Sequence, residues 1–86
     1  MVSAEFQAAA DKVNNLTSKP TDEQLLKLYG LFKQANVGDV NTSRPGMMDF
    51  KGKAKWDAWK SEEGKSQEAA EAEYIAYAEE VVASVA

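Results

Sequence analysis

Apolar residues recur at spacings of three and four in four separate stretches of this chain, and the first three are closed by proline, glycine or a cluster of turn formers. Such a period places the apolar side chains on one face of an α-helix, whereas a half-buried strand needs strict alternation. In residues 3–16 the set is Phe6, Ala9, Ala10, Val13 and Leu16, with Ser3 as N-cap. Thr17-Ser18-Lys19-Pro20 breaks that period. A second helix starts at Thr21 or Asp22 and runs to Asn36 or Val37, where Gly38 stops it; its apolar set is Leu25, Leu28, Tyr29, Phe32 and Ala35, flanked by Leu26. Asp49 caps a third helix over about 50–62, with Ala54, Trp56, Ala58 and Trp59 as its bulk and Gly64 marking its end. Ser66 caps a fourth, 66–84, whose stripe is Ala70, Tyr74, Tyr77 and Val81.

These stripes predict an all-α fold, a four-helix bundle forming a single domain over residues 1–86. Residues 38–50 hold turn formers and no period, which makes a long connection between the second and third helices. Loops of about a dozen residues are uncommon in small domains unless they are functional. The shorter first and third connections predict antiparallel pairs, helix one beside helix two and helix three beside helix four.

Composition restricts the chemistry. With no cysteine and no histidine, the chain lacks thiolate nucleophiles, disulfides, and the commonest general base and metal ligand. The remaining carboxylates, lysines, hydroxyls and single arginine suit holding a ligand better than transforming one, so neither catalysis nor a cofactor or metal is expected. Glu62-Glu63 and Glu79-Glu80 are sequence neighbours that diverge on a helix; they read as solvated faces, not acid–base pairs. No basic stretch followed by an apolar run suggests a leader, and a cytoplasmic monomer is the expectation.

The net charge of −4 conceals a division. Residues 19–60 carry seven lysines and Arg44 against five carboxylates, net +3, while residues 61–86 carry Lys65 against seven glutamates, net −6. Overall acidity argues against nucleic acid, yet the basic middle permits a local site for a small anion. Tyr29 and Lys33 are i,i+4 neighbours on the second helix, and Lys51 and Lys55 are i,i+4 neighbours on the third. If the two helices pack together, these lysines can converge on a phosphate while a tyrosine ring supplies a face for a purine. From spacing alone, the commoner reading of such tyrosines is core-edge residues, and of such lysines solvated helix faces. No glycine-rich phosphate loop is present.

A longer pattern runs through these residues. Tyr29 with Lys33-Gln34-Ala35, then Val37-Gly38-Asp39, Arg44-Pro45-Gly46, and the unbroken Asp49-Phe50-Lys51-Gly52-Lys53-Ala54-Lys55-Trp56-Asp57-Ala58-Trp59 resemble the signature of the acyl-CoA-binding proteins. Phe6, Lys19-Pro20 and Tyr74 also stand at matching places. The resemblance implies a non-enzymatic carrier of long-chain fatty acyl-CoA that meets acyl-CoA-using enzymes or membranes transiently. It implies a ligand set of Asn14, the run Tyr29-Gly30-Leu31-Phe32-Lys33, Lys51, Lys55 and Tyr74, with Tyr29, Lys33 and Lys55 at the adenine and ribose 3′-phosphate end. Ala10, Leu25 and Leu26 match positions near the acyl chain. Asn14 replaces a frequent lysine, and Phe32 a frequent tyrosine. Burying about 14 methylenes has a ceiling near 11 kcal/mol. Because a small bundle cannot keep so large an empty interior, a surface groove is expected. Two rivals are an acyl-CoA thioesterase, which lacks an activated nucleophile, and a protein-interaction bundle with a basic docking face.

Overall fold

The computed structural model describes residues 3–85. Its helices are α1 (Ala4–Asn14), α2 (Asp22–Asn36), α3 (Phe50–Lys60) and α4 (Gln67–Val85), and no strand occurs among the described residues. Each start is set by a side chain that satisfies an orphan backbone donor. Ser3 Oγ accepts from the Phe6 N–H at 3.2 Å, Asp49 Oδ1 from Gly52 at 2.9 Å, and Ser66 Oγ from Ala69 at 3.0 Å. Thr21 and Gln24 form a reciprocal capping box: Thr21 Oγ1 accepts from the Gln24 N–H, and Gln24 Oε1 from the Thr21 N–H. Two ends come earlier than the apolar stripes suggest. Asn15 turns its amide onto the Asp11 carbonyl at 2.8 Å and closes α1, so Leu16 reaches the core from outside the helix. Ser61 Oγ donates to the Ala58 carbonyl at 2.7 Å, and α3 gives way to a turn over 61–64.

The core is Phe6, Ala9 and Ala10 of α1, Leu28, Leu31 and Ala35 of α2, and Ala70, Tyr74, Ala78 and Val81 of α4. Helix α4 packs against both α1 and α2, and α2 packs in turn against α3. The expected pairing of consecutive helices therefore does not form: α1 lies on α4 instead of α2, and α3 on α2 instead of α4. Connection length explains half of this, since residues 15–21, with Pro20 buried, carry the chain past the first helix before α2 begins. The small residues Ala70 and Ala78 explain the rest, because they let two helices seat on α4. Helices α1 and α2 meet through side chains, with the Phe6 and Phe32 ring centroids 5.5 Å apart.

Gly30 fixes the α2/α3 crossing. A Cβ there would lie 2.4 Å from the Ala58 carbonyl oxygen, well inside contact distance, so only glycine lets the two backbones approach this closely.

The connection at 37–49 is pinned along its length. Trp59 Nε1 donates to the Gly38 carbonyl at 2.8 Å and Trp56 Nε1 to the Thr42 carbonyl at 2.9 Å. The Arg44 guanidinium reaches both Asp57 oxygens at 2.9 Å in a two-pronged pair, holding the Asp57 carboxyl below its ordinary range. Asp39 Oδ1 accepts from the Gly64 N–H at 2.9 Å and from Gln34 Nε2 at 2.8 Å, which lowers its pKa in the same way. Of the two tryptophans expected as core bulk, Trp59 is buried and Trp56 only half-buried, and both anchor this connection.

Glu62 corrects an expectation. It is 2% exposed rather than solvated, and it accepts from Lys27 Nζ at 2.9 Å and from Lys65 Nζ, which also reaches Glu73. Burial works to raise its pKa, but the Lys65 and Lys27 hydrogen bonds outweigh that and leave it lowered.

Candidate functional site

Because α1 and α2 stand apart above α4, an open groove of about 260 Å³ lies between them. Ala10, Val13 and Asn14 of α1 form one wall, and Leu25, Leu28, Tyr29 and Phe32 of α2 the other; Tyr74 of α4 lies at the bottom. Tyr74 is 4% exposed and sits within an aromatic trio, its centroid 4.6 Å from Phe6 and 5.9 Å from Phe32. Burial raises its pKa, so the phenol stays protonated and able to donate near neutral pH. The lining is thus apolar, with polar tips supplied by Asn14, Tyr29 and Tyr74.

Cations gather on the α3 side of that groove. Lys55 Nζ lies 5.5 Å from the Tyr29 ring centroid, carrying a charge from α3 to a wall residue. One turn further along α2, Lys33 Nζ lies 4.9 Å from the Trp59 ring. Neither lysine has a carboxylate partner among the described residues, so both charges remain available to an anion. A second depression, about 160 Å³ between α1 and α4, carries Glu5 and Glu79 beside Lys12, and these carboxylates would repel a phosphate.

The structure brings together six of the residues singled out by sequence: Ala10, Asn14, Leu25, Tyr29, Phe32 and Tyr74 all line the groove. Lys51 is exposed near the start of α3, and Leu26 is half-buried outside the lining. Two others lie elsewhere. Leu31 is 0% exposed in the core, and Gly30 is sealed beneath Ala58, so neither offers a side chain to a ligand; both act by holding α2 in place. Val13 and Leu28 line the groove but read in the sequence only as stripe residues. Periodicity marks an apolar face without saying which part of it a neighbour leaves uncovered.

The family model described as "Acyl CoA binding protein" matches residues 3–78. The chain belongs to the acyl-CoA-binding protein family. It is 57% identical over 86 residues, all of both chains, to "Acyl-CoA-binding protein homolog" of Drosophila melanogaster. It is 61% identical over 71 residues to "Acyl-CoA-binding domain-containing protein 6" of Arabidopsis thaliana, covering 83% of this chain and 77% of that one. Among solved structures, Oryza sativa acyl-CoA-binding protein 2 superposes with a TM-score of 0.88 at 46% identity, over 93% of this chain and 87% of that one. The yeast acyl coenzyme A binding protein gives 0.77 at 46% identity, over 98% of each. The all-α bundle described above is the fold of these acyl-CoA-binding proteins. Within that frame the groove keeps a ring at Phe32 and an uncharged amide at Asn14, so its walls carry no formal charge of their own.

Proposed function

We propose that this chain binds long-chain fatty acyl-CoA and acts as a non-enzymatic carrier of it. The observation that carries this reading is the joining of two unlike surfaces: an open apolar groove, and beside it two lysines without carboxylate partners, one of them resting on a tyrosine of the groove wall. Family membership supports the same ligand.

In this reading Lys33, Lys55 and Lys51 hold the phosphates of the coenzyme A end, and the Tyr29 ring offers a face to the adenine. The acyl chain lies along Ala10, Val13, Leu25 and Leu28, with Leu26 at the margin. Asn14 and Tyr74 contribute hydrogen bonds without charge, and Phe32 contributes a ring. The groove is too small and too open to enclose the whole ligand, so the chain completes an apolar surface that the protein leaves uncovered. Phosphate contacts add to the methylene burial, and together they bring nanomolar affinity, about −12 kcal/mol, within reach after the costs of association. The carrier works as a cytoplasmic monomer, without a cofactor, exchanging its cargo with acyl-CoA-using enzymes and membranes through brief contacts.

Calorimetry comparing palmitoyl-CoA, free coenzyme A and free palmitate tests this division of labour. The expected order is palmitoyl-CoA far above either half, and affinity rising by up to roughly fifteenfold for each two methylenes until the groove is filled. Equal affinity for short and long acyl chains would remove the groove from the mechanism. Release of free coenzyme A above background would overturn the non-enzymatic reading.

A further inference from the structure

Outside the groove, one surface combines exposure, rigidity and charge in a way the core does not require. Met47 is 82% exposed, Met48 90% and Phe50 72%, the largest exposures among the big apolar side chains described. They do not lie in a loose segment. The Asp49 N–H donates to the Gly46 carbonyl at 3.1 Å, so Met47 and Met48 occupy the two corner positions of a tight turn. Asp49 then caps α3, and Phe50 is the first residue of that helix. The Arg44–Asp57 pair and the Trp56–Thr42 hydrogen bond fasten the chain on either side. Three large apolar side chains are therefore held out as a convex tip.

Around that tip the charge is positive. Lys53 Nζ lies 5.0 Å from the Phe50 ring, and Lys51, Lys53 and Lys55 have no carboxylate partner among the described residues. The two nearest acids are engaged, Asp49 as the helix cap and Asp57 with Arg44. The acidic helix α4 makes no backbone approach to α3, because α2 lies between them in the packing. The glutamates of α4 are thereby kept from the start of α3, while the ion pairs that join residues 19–60 to 61–86, Lys27–Glu62 and Lys60–Glu63, involve none of the lysines beside the tip.

We propose that Met47, Met48 and Phe50 form a wedge that docks this protein on an anionic lipid bilayer, with Lys53 and its neighbouring lysines meeting the headgroups. A fluid bilayer accepts a convex, flexible methionine tip, while lysines beside it gain from the negative surface. A folded protein partner would need a pocket shaped to it. The proposal takes its purpose from the carrier reading but not its support, and the two can fail separately.

The test is co-sedimentation of the full chain with phosphatidylcholine vesicles, with and without about 30% phosphatidylserine, alongside calorimetry with palmitoyl-CoA. Wild type is expected to bind the anionic vesicles, and to lose that binding as salt rises from about 50 to about 500 mM and screens the lysines. The double variant Met47→Ser/Met48→Ser should bind them at least about tenfold more weakly, with an unchanged melting temperature and unchanged affinity for palmitoyl-CoA. Lys53→Gln should weaken vesicle binding in the same direction. Wild type that ignores anionic vesicles overturns the proposal, and self-association of that protein in sedimentation equilibrium would assign the tip to a second copy instead. Undiminished vesicle binding by the double variant overturns it too. Vesicle binding that persists in a protein with no affinity for palmitoyl-CoA would sink the carrier reading and leave this one standing.

Discussion

Lys55 and Tyr29 come from different helices, and their contact is the smallest unit of the candidate site. A cation over a ring gains about 0.5 to 2 kcal/mol depending on its hydration, and a ligand phosphate can draw the ammonium off the ring while the ring stacks on a base. Removing the charge with Lys55→Gln, or the ring with Tyr29→Ala, should each weaken palmitoyl-CoA binding by about 1 to 3 kcal/mol, read by calorimetry. The double variant should lose less than the sum, because each partner acts partly through the other. Full additivity would place the two groups in separate roles. Glu62 tests a different kind of residue. Its carboxylate holds Lys27 and Lys65 from a 2% exposed position, so Glu62→Gln takes the counter-charge from Lys27 and leaves Lys65 with Glu73 alone. A loss of about 1 to 3 kcal/mol in urea unfolding is expected, with ligand affinity nearly unchanged because Glu62 lies outside the groove.

At the scale of elements, Gly30 sets where α3 sits, since α3 brings Lys55 to the groove only if its backbone can reach α2 at Ala58. Gly30→Ala should cost about 1 to 3 kcal/mol of stability by overpacking and should also weaken palmitoyl-CoA binding, because the added methyl pushes against the Ala58 carbonyl and shifts α3. Unchanged stability would mean that the crossing can widen freely. The helices themselves were legible in the sequence, because the stripes of Phe6, Leu28 and Tyr74 and the caps Ser3, Asp49 and Ser66 are local signals. The capping box was present as Thr21 and Gln24 but is easily passed over beside Asp22 and Glu23. What could not be read was the pairing of helices, since a period tells which face is buried and not against what. Glu62 and Gln34 show the same limit: both are polar side chains at buried positions, and only tertiary partners make those positions tolerable. The lysines that flank the groove were visible as residues, while their reference to Tyr29 and Trp59 depended on the α2/α3 contact. Leu31 lies two residues beyond Tyr29, and that rotation of about 200° turns its side chain into the core.

Across the whole molecule, acid should be the dominant electrostatic stress. The Gly64 and Gln34 donors lower the Asp39 pKa, the Arg44 pair lowers Asp57, and Lys65 with Lys27 keeps Glu62 low against its burial. A carboxyl whose folded pKa lies below its unfolded value stabilises the fold above about pH 4, and that contribution is lost as pH falls through the lowered values. Lys65 acts oppositely: burial alone would lower its pKa, but Glu62 and Glu73 raise it, so its contribution is complete below the ordinary lysine value and fades only at higher pH. With no histidine in the chain, stability should be nearly flat from about pH 6 to 8 and fall steeply below about pH 4. A urea midpoint that stays level down to about pH 3 would contradict this. The pattern of helix packing carries a kinetic consequence as well. Since α3 rests on α2 alone and α1 on α4 alone, while α2 and α4 each have two neighbours, α3 is one of the two helices that can open without dissolving the rest, and the one that carries Lys55. Its amides are expected to exchange with deuterium faster than those of α4, and bound palmitoyl-CoA should slow them most. The residence time of the cargo would then be set by how often one helix lifts, a clock that runs independently of how stable the folded core is.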